Sequence, residues 1–246
     1  MTAQMKKISP ADIVAFDPFC GTFPLLTDIV YANAAHPENH FGQIYHKDAI
    51  LQGHRDLVKI VLLVSYRLYQ AHGWTLIVKD CLRPIEAQGL MVETDIVKAN
   101  PHWLIEPRFL SSPGQGGHPR GMAVDLDALD ATGQAVDFGT AFDHFSSATD
   151  KDRNPAHREH PDLTNQAGKN RLILTDAMIS AAADFNLPML PLPQEWWDFR
   201  FPSSYTNDFE AISDGDLLPH QKMIAAPDPL EVVADSQTLD ELRRFV

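Results

Sequence analysis

The stretch QEWWDFRF, Gln194 to Phe201, sets two acids, Glu195 and Asp198, on either side of the Trp196–Trp197 pair. A carboxylate among large aromatics is costly unless it is ion-paired, hydrogen-bonded or bound to a metal. A second stretch, GGHPRGMAVDLDAL, carries His118 and Asp125 seven residues apart. A neutral imidazole and a carboxylate make half of a tetrahedral zinc site. One acid of the tryptophan stretch could complete a three-ligand set with a fourth position open for water, and the other could serve as general base. Arg83, in KDCLRPIEAQ, stands between an apolar run and a proline, where a guanidinium could hold an oxyanion or a substrate carboxylate. Each residue also has a plainer reading. His118 could be a solvated loop residue and Asp125 a turn cap. Glu195 and Asp198 could be surface charges beside core tryptophans. Arg83 could make a surface salt bridge with Asp80 or Glu86.

The surrounding elements decide whether these residues can meet. On an uninterrupted strand an odd offset places residues 118 and 125 on opposite faces. Pro119 and Gly121 would let a turn or bulge bring both to one face. MAVDLDAL predicts a strand with Val124 and Asp125 on opposite faces. TLIVKD, residues 75–80, predicts a buried strand, and Trp196–Phe201 a closing one. Leu57, Ile60, Val61, Val64 and Leu68 predict a helix over 54–72, stopped by Gly73. Further helices are expected from Pro84 to about Lys98, from Asn170 to Phe185, and near the C-terminus, where Thr238 and Glu241 have capping-box spacing. The first fifty residues read as an irregular wrap with short strands, 111–121 as a loop, and 143–168 as polar and irregular. Without a βαβ rhythm the expected class is α+β, a central antiparallel sheet flanked by helices. Residues 1–205 are expected to form the catalytic domain and 206–246 an acidic extension.

Composition narrows the function classes. With 33 acids against 20 bases the formal charge is −13, which argues against nucleic acid or an anionic membrane as partner. Two cysteines, Cys20 and Cys81, cannot build a thiolate zinc cluster and are expected to be free buried thiols. The N-terminal MTAQMKKISPADIVAF has no apolar leader core, and no run approaches the roughly 20 apolar residues of a membrane span. A soluble, cytoplasmic protein is expected.

Taken in order, the motifs resemble the VanX-type D-alanyl-D-alanine dipeptidases, zinc enzymes of the D,D-peptidase and hedgehog fold group. That pattern has Arg-Pro after a strand, Ser-x-His-x6-Asp, Gly-x-x-Phe-Asp and Glu-x-x-His. The counterparts are Leu82-Arg83-Pro84, His118 to Asp125, Gly139 to Asp143, and Glu195-Trp-Trp-Asp198, with Asn170-Arg171-Leu172 also fitting. The agreement runs from about residue 25 to 205. The resemblance implies zinc ligands at His118 and Asp125, a general base at Glu195 that takes a proton from water, and an oxyanion-stabilising Arg83. It implies that Asp143 pairs with the ammonium of a small dipeptide substrate such as D-Ala-D-Ala, in cell-wall precursor metabolism.

Two positions depart from the pattern. Asp198 stands where the third ligand should be histidine, and Gly116 where a serine is expected. A set of one His and two Asp is possible for zinc, but it leaves the metal unit neutral, so that it acidifies its bound water and polarises a scissile carbonyl less. More oxygen ligation also favours manganese or ferrous iron. Three outcomes are open: Asp198 ligates a metal in a working site; His157 or His160 supplies the missing ligand; or the site holds no metal and serves as a binding protein. If Asp198 is a ligand, its replacement by histidine should retain or raise zinc affinity.

Overall fold

A computed structural model of the chain describes residues 5–230 and 232–246; the first four residues of the N-terminal stretch lie outside them. The expected N-terminal wrap is built from β1 (Ile13–Ala15), β2 (Leu25–Thr27) and β3 (Gln52–His54), joined by 3-10 turns. The clearest sequence helix follows as α1 (Arg55–His72). His54 caps it, its ring nitrogen accepting from the Asp56 N–H at 3.3 Å, and Gly73 ends it at φ +70°, a conformation that costs glycine little. Leu57, Ile60, Val61 and Val64 along this helix are fully buried.

TLIVKD forms β4 (Thr75–Asp80) as expected. The next helix differs: it divides into α2 (Ile85–Val92) and α3 (Asp95–Ala99), with Pro84 as cap. The break falls at Thr94, whose hydroxyl donates to the Met91 carbonyl at 2.7 Å and competes with helix continuation. MAVDLDAL supplies β5 (Ala123–Leu129). The third long helix, α4 (Asn165–Asp184), starts five residues before the expected Asn170, because the Thr164 hydroxyl caps the Ala167 N–H at 3.0 Å. The closing strand is short, β7 (Asp198–Arg200), and pairs with β6 (Leu190–Pro191). Beyond α5 (Ser203–Thr206), the chain ends in α6 (Ser236–Leu242). Asp235, rather than Thr238, is its cap, accepting from the Thr238 N–H at 2.8 Å.

The main sheet has the order β2-β4-β5-β7-β6. It is antiparallel except at one edge, where β2 runs parallel to β4. The exception follows from connectivity, since the chain returns to the sheet through α1 and a helical crossover reverses direction twice. α1 packs against α4, β4 and α6. Residues after 205 lie on this frame: Lys59 bonds Glu241 at 2.7 Å and Arg55 bonds Asp235 at 3.1 Å. Cys81 is buried and Cys20 half-buried; neither is in a disulfide.

One irregularity positions the site. Between the pairs Val78↔Leu126 and Asp80↔Asp125 the ladder of β4 and β5 shifts register. The extra residue is Lys79, which turns to Asp28 and Glu38 at 2.8 and 2.6 Å. Without this bulge Lys79 would face Asp125; with it, Asp80 does. On the other side Asp125 pairs with Asp198 of β7. Three carboxylates therefore stand in one row across adjacent strands.

Asp127, two residues along β5, is half-buried; its Oδ1 accepts the Ala128 N–H at 2.7 Å. Burial pushes its carboxyl up to about 6. A raised carboxyl binds its proton more tightly folded than unfolded, so stability falls as pH rises from about 4 to about 6. Asp127→Asn keeps the acceptor and removes the charge. It should stabilise the fold by about 1–2 kcal/mol at pH 7.5 and leave it unchanged near pH 4, as read by urea unfolding at both pH values.

Candidate active site

The row of acids fixes the floor of the site. His118 reaches it from the 3-10 turn His118–Arg120, which ends at Gly121 with φ +62°. A Cβ on Gly121 would lie 2.7 Å from the His54 nitrogen, so only glycine lets the turn pack against β3. The turn resolves the odd spacing of residues 118 and 125. His118 Nδ1 lies 2.8 Å from the Cys81 carbonyl. A carbonyl only accepts, so Nδ1 carries the proton. His118 Nε2 then faces Asp125 Oδ2 at 3.6 Å and Asp198 Oδ2 at 3.4 Å. The side chains of 118, 125 and 198 thus converge, and all three are buried.

Asp80 belongs to the same cluster, and the sequence reading weighed it only as a partner for Arg83. Asp80, His118 and Asp125 offer ligand atoms that all lie within 4.8 Å of one another, so this buried group could hold a metal ion. However, the His118 nitrogen beside Asp80 is Nδ1, at 3.6 Å, which is already committed as a donor to Cys81. Asp80 Oδ2 accepts from Arg83 Nε and Nη2 at 2.9 and 2.6 Å, and its Oδ1 from the Tyr45 hydroxyl at 2.7 Å. The free imidazole lone pair belongs to Nε2, which looks toward Asp125 and Asp198.

The ion pair of Arg83 with Asp80 is therefore buried, not superficial, and Glu86 turns away to Ser213. Arg83 also approaches Asp125 at 3.8 Å and lies over the Tyr31 ring. Tyr31 donates its hydroxyl to Asp143 Oδ2 at 2.5 Å. Asp143 has a left-handed backbone, φ +54°, and burial pushes its carboxyl up to about 7. Both tryptophans are core residues whose packing carries this segment. Trp196 stacks on Phe138 at 4.2 Å and donates to Thr140, while Trp197 meets Phe142 edge-on.

The acids of the tryptophan stretch are buried, not surface charges. Burial, with the nearby charge of Asp198, drives the Glu195 carboxyl well above its ordinary range. Asp198 moves the other way: burial would raise it, but the Arg200 guanidinium holds it well below. Arg200 Nε donates to Asp198 Oδ1 at 2.7 Å and its Nη2 to Oδ2. Sequence reasoning passed over this arginine, although its position two residues along a strand placed it on the same face.

The outcome that called on another histidine is corrected. His157 Nδ1 accepts the Glu159 N–H and His160 Nδ1 meets the Lys151 carbonyl; neither lines the central cavity. The missing serine has a local explanation. Gly116 has φ +84°, and a Cβ there would come within 3.1 Å of the Ser111 hydroxyl and 3.8 Å of Arg200 Nη1.

Two atoms test whether the site suits a cation. Asp125 Oδ1 and Glu195 Oε1 are buried and have no hydrogen-bond partner among the described residues. Bare buried acceptors lining one cavity are unfavourable unless a positive charge is supplied to them. The oxygen and nitrogen donors suit a divalent ion. The cavity between them measures about 20 Å³, and beyond Gly116 lies a larger one of about 490 Å³ that shares Ser111, Gln115 and Arg200. Among the described residues no helix is long and apolar enough to cross a membrane.

Residues 27–213 match the peptidase family M15, described as D-ala-D-ala dipeptidase. A D-alanyl-D-alanine dipeptidase of Escherichia coli (strain K12) is 27% identical over 183 residues, covering 74% of this chain and 82% of that protein. The mixed sheet flanked by helices is the fold expected of that group. The chain belongs to the M15 D-Ala-D-Ala dipeptidase family of peptidases.

Proposed function

We propose that the protein hydrolyses a small D,D-dipeptide such as D-Ala-D-Ala, with a divalent cation held by His118, Asp125 and Asp198. The observation that carries this reading is the convergence of His118 Nε2 with two carboxylate oxygens around a middle acid whose second oxygen is unpartnered among the described residues. The ion, zinc or with this oxygen-rich set manganese or ferrous iron, would supply Lewis acidity toward water and the scissile carbonyl.

The remaining roles belong to the chain. Glu195 is the proton acceptor: its buried Oε1 has no hydrogen-bond partner among the described residues and lines the same cavity as His118, Asp125 and Asp198, and burial raises its affinity for a proton. Arg83, gripped by Asp80, is held ready for the oxyanion that forms at the attacked carbonyl. Asp143, steadied by Tyr31, accepts the substrate's ammonium. The product would be free amino acid, as in the turnover of cell-wall precursors. A second reading, a carboxypeptidase acting on longer cell-wall peptides, is favoured by the adjoining 490 Å³ cavity.

Protein purified without chelator should contain a divalent ion and release D-alanine from D-Ala-D-Ala. Absence of both after supply of Zn, Mn, Co or Fe would remove the enzyme reading. Glu195→Gln should lower kcat by about 10²-fold or more with metal content unchanged; loss of metal would show that Glu195 is a ligand. Asp143→Asn should raise KM for D-Ala-D-Ala by about tenfold or more, the scale of a lost buried charge pair. Asp143 binds an ammonium only when ionised, so wild-type KM should fall as pH rises through about 7. It should rise again as the dipeptide amine deprotonates near about 8, and the variant should lack the lower limb. If tripeptides are cleaved as well as dipeptides and Asp143→Asn spares both, the carboxypeptidase reading holds instead.

A further inference from the structure

Of the three acids in the row, the outer two each have a guanidinium of their own: Arg83 on Asp80 and Arg200 on Asp198. Arg83 has a role in the reading above, and Arg200 has none. Arg200 follows Asp198 by two residues on β7 and stands opposite Ala123 of β5. That small neighbour, together with Gly116, where even an added Cβ would lie 3.8 Å from Nη1, leaves room for the guanidinium over the strand. Its Nε and Nη2 take one oxygen of Asp198 each. Asp198 Oδ2 nevertheless remains the oxygen facing His118 Nε2, and a carboxylate oxygen has a second lone pair to offer.

We propose that Arg200 is a positioning residue for the cation, converting Asp198 into a charge-neutral oxygen donor; this rests on the metal site proposed above. The charge count gives the reason. Neutral His118, Asp125 and Asp198 together carry −2, and Arg200 returns the set to −1. This is the charge of the two-histidine, one-carboxylate sets found in catalytic zinc sites. The paired aspartate thus does electrostatically what a neutral imidazole does, and the cation keeps its pull on electrons. It follows that histidine at 198 is not a simple improvement: with Arg200 still present, it would leave a guanidinium without its carboxylate beside a dication.

The test is Co²⁺ affinity, by chelator competition at pH 7.5, for the wild type, Asp198→His, Arg200→Gln, Arg200→Lys and the double variant Asp198→His/Arg200→Gln. Circular dichroism checks that each is folded. Asp198→His should bind at least tenfold more weakly, and adding Arg200→Gln should bring it back to within threefold of wild type. Arg200→Lys, which keeps the charge, should also stay within threefold, while Arg200→Gln alone should bind at least tenfold more tightly. Asp198→His binding as tightly as wild type, or no recovery in the double variant, would overturn the role of Arg200 and leave the metal site standing. Unchanged or weaker binding by folded Arg200→Gln would also overturn it. A wild type that takes up no Co²⁺, including the case where only Arg200→Gln does, would remove the metal site and the role of Arg200 together. Should Arg200→Gln fail to fold, Asp198→His and the double variant still decide.

Discussion

Like charges directly opposite one another on neighbouring strands repel, and this molecule places three in a buried row. Asp80, Asp125 and Asp198 are aligned by the registers of β4, β5 and β7, and all three are nearly inaccessible. Such an arrangement persists only if positive charge is supplied at close range. Arg83 and Arg200 supply it at the two ends. The middle acid has the lone pair of His118 Nε2 at 3.6 Å, a distant guanidinium at 3.8 Å, and one oxygen with no partner among the described residues. The sheet therefore concentrates its unmet demand for a cation at one point, on Asp125.

Much of the remaining architecture serves to keep that point rigid and dry. The Lys79 bulge sets the register, and the Gly121 turn lowers His118 onto the row with its tautomer chosen by the Cys81 carbonyl. The polar segment between Asp143 and Thr164 has almost no regular structure, yet it is held from below. Arg171 of α4 donates to the carbonyls of Phe138, Pro155 and His157, and Asn170 to that of Asp137. Those bonds satisfy backbone groups that a helix or ladder would otherwise use. They also fix the loop on which Asp143 adopts its left-handed backbone.

The same burial divides the labour among the carboxyls. Where desolvation acts with little opposition, as at Asp143 and Glu195, the carboxyl rises. Where a guanidinium binds both oxygens, as at Asp198, it falls. Groups of one chemical type in one cavity are thereby prepared for different work.

Several of these features were legible in the residues. The period of α1 and the alternation of β4 and β5 declare themselves because local burial repeats with the helix or strand. His118, Asp125, Glu195, Asp198, Arg83 and Asp143 stand out as chemical types in telling order. Helix starts were less legible, since Thr164 and Asp235 act through single hydrogen bonds. Register was not legible at all. That Lys79 would bulge, that Asp80 would thereby join the row, and that Arg200 would close on Asp198 depend on where one strand lies against another. Side-chain type and spacing are properties of the chain, and they determined which groups were available. Which charges face each other is a property of the packed sheet, and only the tertiary structure decided it, because the energy of a buried charge depends on neighbours distant in sequence.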